Sequence, residues 1–191
     1  TGAPGRIPDV AYYDKWYGDG RWAASTIISN SIGQGEIAAT PLQLANMTAA
    51  IANRGYFYTP HIIKSIGNNG KIDPKYTEPN YTTIDRKHFD PVIEGMANVY
   101  NYGTARWVKI PGIDIAGKTG TVENYIRIDG ERMQLTDHSV FVAFAPVENP
   151  QIALAVYIEN GYYGSRYAGH IASLLIEKYI KGEITRTDLE K

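Results

Sequence analysis

Four consecutive residues, Lys118-Thr119-Gly120-Thr121, hold the side chains best suited to chemistry in this chain. Lys118 supplies a fixed positive charge, and Thr119 offers a hydroxyl that can donate to a carboxylate. Gly120 has no Cβ, so another backbone can approach closely. The run Ile113-Asp114-Ile115-Ala116 leads into them with a period of two, which reads as a strand with small residues at its centre. On an exposed sheet edge such a strand can take up an extended peptide by strand addition. The plainer alternative is an exposed strand that happens to carry a surface lysine. Other reactive types are scattered. The four histidines, His61, His88, His138 and His170, lack the spacing of a metal cluster. Only His138 begins a strand near the triplet. Glu123 and Asp137 flank a hairpin as solvated charges, and Tyr125 reads as packing.

The elements that position the triplet predict an α+β chain. Three antiparallel strands are expected at about 112–126, 136–146 and 150–160, backed by a helix over 167–181. The second and third strands are apolar on both sides and should be covered on both faces. The closing helix should bury Ala168, Ile171, Ala172, Leu174, Leu175 and Tyr179, with Gly182 ending it. Asp129-Gly130 between alternating residues signals a two-residue hairpin. Helices over 40–54 and 90–102 form part of a helical lobe. The first opens on a capping box, Thr40 with Gln43, has Pro41 at its first position, and is expected to bury Leu42, Ala45, Ala49 and Ala52. The second opens on Asp90 as cap, followed by Pro91. Residues 1–35 read as loop with short turns, among them Ser31-Ile32-Gly33-Gln34-Gly35. Residues 59–66 read as a short strand or extended segment, followed by a turn at Asn68-Asn69-Gly70 and surface loop to 84. Nothing splits the chain, so 1–191 is expected to be one partial domain with a flexible polar tail at 183–191.

Composition excludes several classes of function. The 191 residues carry 19 Lys+Arg and 20 Asp+Glu with no basic run, which gives no electrostatic case for nucleic acid. There is no cysteine, so disulfide scaffolds, thiolate catalysis and zinc–thiolate sites are out. The longest apolar runs, such as 140–146, are too short to cross a bilayer. No signal peptide opens the chain, whose first residues read as the interior of a longer protein. Fifteen tyrosines stand beside four phenylalanines and three tryptophans, a supply of rigid surface with polar tips that suits a groove.

Several longer motifs carry a resemblance. Ser31-Ile32-Gly33-Gln34-Gly35 is followed by Ala39-Thr40-Pro41-Leu42-Gln43-Leu44-Ala45. Further on come Gly117-Lys118-Thr119-Gly120-Thr121-Val122-Glu123, Asp137-His138 and Phe141-Val142-Ala143-Phe144-Ala145-Pro146. In order and spacing these resemble the class B penicillin-binding proteins of the elongation-specific type, over about residues 1 to 180. The resemblance implies the C-terminal part of a penicillin-binding protein/serine β-lactamase-like transpeptidase fold. It also implies D,D-transpeptidation of peptidoglycan through an acyl-serine, with β-lactams trapping the serine. Lys118, Thr119, Gly120 and Thr121 then bind substrate, and the Thr121 backbone N–H helps form the oxyanion hole. His138 takes a structural place at the cleft edge.

The resemblance also shows what is missing. None of Ser25, Ser29, Ser31, Ser65, Ser139, Ser165 or Ser173 has Lys three residues on, so the family's Ser-x-x-Lys nucleophile is absent. Its Ser-x-Asn motif is absent too. The chain therefore reads as beginning after two of the three active-site motifs, and alone it should not acylate. The implied partners are the D-alanyl-D-alanine end of a stem peptide, β-lactams and the cell-elongation machinery, with no metal or organic cofactor. The implied place is the extracytoplasmic face of a bacterial inner membrane, anchored by a segment elsewhere. In the family the 151–159 strand pairs with an upstream strand, so this chain alone is expected to self-associate through it or to be marginally stable, unless the N-terminal loop covers the edge. Two rivals stand beside this reading: a β-lactam-sensing receptor domain of the same fold, and a non-catalytic interaction module.

Overall fold

A computed structural model describes residues 3–67, 70 and 72–190. The chain divides into two compact units, residues 1–43 and 44–191. In the first, two helices stand where sequence suggested loop: α1 (Val10–Tyr17) and α2 (Ala24–Ser31). Asp9 caps α1 by accepting the Tyr12 N–H at 2.8 Å. The rest of the ordering is long-range. Tyr13 is buried against Trp22, whose indole donates to Asp14 at 2.7 Å. Glu36 accepts from the hydroxyls of Tyr17 (2.6 Å) and Tyr13 (3.1 Å). The bond from Tyr17 is the main reason its carboxyl sits below the usual range, and burial opposes it. The expected turn at 31–35 is present, with Gly33 and Gly35 both at positive φ.

Helix α3 (Pro41–Ala52) starts as the capping box requires. The Thr40 N–H donates to Gln43 Oε1 at 2.8 Å, and the Gln43 N–H donates to Thr40 Oγ1 at 3.2 Å. Its buried residues are Thr48, Ala50 and Ala52, whereas Leu42 lies exposed. Thr48 tolerates burial because its hydroxyl donates to the Leu44 carbonyl one turn back. Of the strand or extended segment expected at 59–66, the strand does not form among the described residues. Pairing falls instead between β1 (Tyr56–Phe57) and β2 (Asn80–Tyr81), antiparallel. The turn expected at Asn68-Asn69-Gly70 lies mostly outside the described residues. Helix α4 (Phe89–Asn101) begins one residue before Asp90, so Asp90 is not its cap. It sits in the first turn and pairs with Arg54 at 2.7 Å, while Pro91 occupies the third helical position, where no intrahelical N–H is needed.

The second unit is organised by a three-stranded antiparallel sheet in the order β3–β6–β7, namely Ala116–Val122, His138–Ala145 and Ile152–Ile158. All three strands are antiparallel, as the sequence predicts. The span expected at 112–126 is shorter, because Pro111-Gly112 turns the chain and Ile110 bridges Ile113 before β3 begins. Beyond β3, Tyr125–Ile128 (β4) and Glu131–Gln134 (β5) form a separate hairpin. Asp129 and Gly130 both take positive φ at its turn, as a primed turn needs.

One face of the sheet carries Phe141, Ala143, Leu154 and Val156, packed under α5 (Ala168–Lys181) with Val108, Ile110, Ile113 and Ile115. Burying a side chain the size of Phe141 contributes roughly 2–3 kcal/mol. The other face is covered only at one end, where Ala116 and Phe144 meet Phe89, Ile93 and Met96 from α4. Val140, Val142 and Ala155 are only half-buried, so the cover expected on both faces is partial.

Helix α5 turns a different stripe inward from the one its apolar residues suggest. Ala168, Gly169, Ala172, Ser173, Ile176 and Glu177 are buried, while Ile171, Leu175 and Tyr179 are 40%, 50% and 60% exposed. Glu177 can face inward because three donors meet it: Thr185 Oγ1 at 2.6 Å, Arg186 Nε at 2.9 Å and Lys181 Nζ at 3.2 Å. The same guanidinium reaches Ser173 Oγ at 3.2 Å and the Lys109 carbonyl at 3.3 Å. The polar tail is thus tied back at Thr185 and Arg186.

Candidate functional site

Strand β3 pairs with β6 along one edge only, leaving its other edge without a strand among the described residues. Lys118 stands opposite Val142, Thr119 opposite Phe141, Gly120 opposite Val140 and Thr121 opposite Ser139. Alternation puts Lys118 and Gly120 on one face and Thr119 and Thr121 on the other. Lys118 and Thr121 are exposed, and Thr119 and Gly120 half-buried. Lys118 Nζ donates to the Thr119 carbonyl at 2.7 Å. The Thr119 hydroxyl lies 2.9 Å from that of Thr104, on the turn after α4. Thr104 escaped the sequence reading, since only the chain's return past α4 brings it there.

Glycines set the backbone of this strand. A Cβ on Gly117 would come within 2.8 Å of Phe141 Cζ and 2.9 Å of the Val142 carbonyl oxygen. Gly164, in the connection from β7 to α5, lies against the sheet so closely that a Cβ there would be 2.5 Å from the carbonyl oxygens of both Gly120 and Val140. Ser139 fixes the same connection. Its buried hydroxyl donates to the Tyr163 carbonyl at 3.0 Å and accepts from the Ala168 N–H at 3.3 Å. The Tyr162 N–H donates to the Asp137 carbonyl at 2.9 Å. Tyr162 and Tyr163 are thereby held beside Thr121. Sequence gives Ser139 no role beyond lacking a lysine three residues on and does not single out Gly164 or the two tyrosines, although the pattern Gly161-Tyr162-Tyr163-Gly164 is an available signal.

These residues enclose an open cleft of about 600 Å³ between Thr121, the segment 134–137 and Tyr162 with Tyr163. Asp137 lines it, and its Oδ1 accepts from the Asn124 N–H (3.3 Å) and from Gln134 Nε2 (2.9 Å). Glu123 is held in an exposed ion pair with Arg132 at 2.7 Å, and the Arg132 guanidinium stacks over Tyr125. His138 packs on Tyr157 with ring centroids 5.3 Å apart, and its Nδ1 accepts the Asn160 N–H at 3.1 Å. The other histidines stand apart from the cleft: His61 against Tyr76, His88 just before α4, and His170 on the Arg166 carbonyl.

An edge strand carrying Lys-Thr-Gly-Thr, backed by a C-terminal helix, is the arrangement the sequence motifs implied. Residues 12–177 match the penicillin binding protein transpeptidase domain. The chain belongs to that family. Among similar proteins, the transpeptidase domain here is 36% identical over 165 residues to the peptidoglycan D,D-transpeptidase MrdA of Acinetobacter baumannii. That match takes in 78% of this chain and 23% of the relative, so the chain spans about a quarter of the relative's length. The crystal structure of Pseudomonas aeruginosa PBP2 in complex with WCK 5153 superposes with a TM-score of 0.77 at 34% identity, covering 97% of this chain and 41% of that one. PBP2 in its complex with MreC from Helicobacter pylori superposes with a TM-score of 0.74 at 27% identity, covering 95% and 32%. No helix among the described residues of this transpeptidase domain is long and apolar enough to cross a membrane.

Proposed function

We propose that this chain supplies the substrate-binding strand of a peptidoglycan D,D-transpeptidase whose nucleophilic serine lies outside it. The reading is carried by the open edge of β3, which presents Lys118, Thr119 and Thr121 in a chain of this family. A stem peptide ending in D-alanyl-D-alanine adds antiparallel to β3. Its terminal carboxylate meets the Lys118 charge and the Thr119 hydroxyl, and Gly120 lets the two backbones close up. The scissile carbonyl then lies at Thr121, whose backbone N–H stabilises the oxyanion as the serine adds. The tetrahedral centre collapses to an acyl-serine ester and releases D-alanine. An amine on a neighbouring strand then takes the acyl group and frees the serine. β-Lactams enter by the same contacts and leave a stable ester. The protein works at the extracytoplasmic face of the inner membrane, anchored by a segment outside this chain. The similarity to a PBP2 that is complexed with MreC supports a place in the cell-elongation machinery. Incubating the longer protein with a D-alanyl-D-alanine peptide and an amine acceptor should release one D-alanine per cross-link, and prior β-lactam should stop it. No release with both substrates present would contradict the assignment.

Taken alone, the chain should associate through β7. That strand is the sheet's second edge, and it carries Ile152, Leu154, Val156 and Ile158 on one side with Ala153, Ala155 and Tyr157 on the other. Two copies can pair antiparallel about a two-fold axis and so satisfy the edge N–H and C=O groups. Sedimentation should find dimers whose 152–158 amides are protected from exchange. A cooperative monomer with those amides protected would contradict the exposed edge.

A further inference from the structure

The cleft beyond Thr121 holds a carboxylate with one oxygen to spare. Both hydrogen bonds to Asp137 fall on Oδ1, and among the described residues none reaches Oδ2. Among the described residues no lysine, arginine or histidine pairs with it, and Arg132 of the hairpin is held by Glu123. The donors on Oδ1, the Asn124 backbone N–H and the Gln134 side-chain amide, hold the carboxylate where Asp137 lines the cleft. Tyr162 and Tyr163, 49% and 56% exposed, flank the opening with apolar surface for an aliphatic stem. A fixed, uncompensated carboxylate at the end of an apolar passage recognises a cation on a flexible chain.

The direction of the substrate decides which part meets it. With the terminal carboxylate at Thr119 and the scissile carbonyl at Thr121, the residue that precedes the two D-alanines runs past Thr121, where the cleft lies. The transfer reaction needs an amine on the accepting stem peptide, so a donor stem of the same composition carries that amine as well. We propose that Asp137 binds the charged side-chain amine of the donor stem peptide and selects donors that keep this amine free. The inference rests on the transpeptidase reading and adds a specificity-determining residue to it.

Two D-alanyl-D-alanine donors, identical except that the side-chain amine is free in one and acetylated in the other, test this on the longer protein. The readout is the ratio of their kcat/KM values for D-alanine release. The wild type should favour the free amine by about 10-fold, as expected for a charge-assisted bond in a half-open site. Asp137→Asn keeps an oxygen for Asn124 and Gln134, and should bring the ratio to about one. A general loss of folding or rate moves both donors together and leaves the ratio alone. A wild-type ratio near one, a preference for the acetylated donor, or a ratio that survives Asp137→Asn would overturn the assignment. If neither donor reacts and β-lactam leaves no adduct, it is the transpeptidase reading that fails.

Discussion

Lys118→Ala in the longer protein should slow acylation by β-lactam roughly 10²–10³-fold, because the carboxylate that positions the β-lactam loses its charge partner. Lys118 is exposed on an open edge and, among the described residues, its ammonium bonds only its own neighbour's carbonyl, so the fold has little stake in it. The melting temperature should therefore stay within a degree or two, since surface changes of this kind cost within about 0.5 kcal/mol. Stopped-flow measurement of adduct formation checks the rate, and thermal unfolding checks the fold. An acylation rate within a few-fold of wild type would remove Lys118 from the site.

The largest effect on stability belongs to Glu177. It is fully buried, and its three donors hold the end of α5, the C-terminal segment and the stretch before β3 together through Arg186. Burial is the strongest single influence on its carboxyl and would raise its pKa. The combined bonds from Thr185, Arg186 and Lys181, with the nearby guanidinium charge, bring it down from 4.5 to about 2. A depressed folded-state value means that the stabilisation is present above about 4.5 and is lost as pH falls toward 2. The size is on the order of 3 kcal/mol. Glu177→Ala leaves Arg186 half-buried without its partner and should cost about 3–5 kcal/mol at neutral pH. Glu177→Gln, which keeps the shape and some hydrogen bonding, should cost less. In thermal unfolding the deficit of either variant should shrink as pH drops from 6 toward 3. A deficit that stays constant over that range would mean the ionised carboxylate is not what stabilises the wild type.

Much of this fold could be read from the sequence because the signals were local. The Thr40–Gln43 capping box, the Asp129-Gly130 turn and the antiparallel run of β6 into β7 all follow from residues within a few positions of one another. The Lys-Thr-Gly edge was legible for the same reason, since a strand's period and its small residues lie side by side. The misses share the opposite cause. α1 is held by Trp22 on Asp14 and by two of its tyrosines on Glu36, about twenty residues away, and α2 is tied to it by Asn30 on the Tyr13 hydroxyl, which no local period reveals. Residues 59–66 have the composition of a strand, but a strand needs a partner, and pairing went to Tyr56–Phe57 instead. The buried face of α5 was misjudged because a glutamate reads as solvated until Arg186 returns to meet it. At the site, Thr104, Ser139, Gly164 and the Asp137 cleft depend on the chain's return path, so the motif gave the strand while the fold supplied its walls.

We propose above that this chain carries the substrate-binding strand of a penicillin-binding transpeptidase and not its nucleophile. Mass spectrometry of the intact protein after incubation with a β-lactam decides this, run in parallel on the 191-residue chain and on the longer protein. The longer protein should gain the mass of one β-lactam on a serine followed three residues later by lysine, while the 191-residue chain stays at its unmodified mass. A stable adduct on any of Ser25, Ser29, Ser31, Ser65, Ser139, Ser165 or Ser173 would contradict the account, as would a longer protein that gains no mass at all.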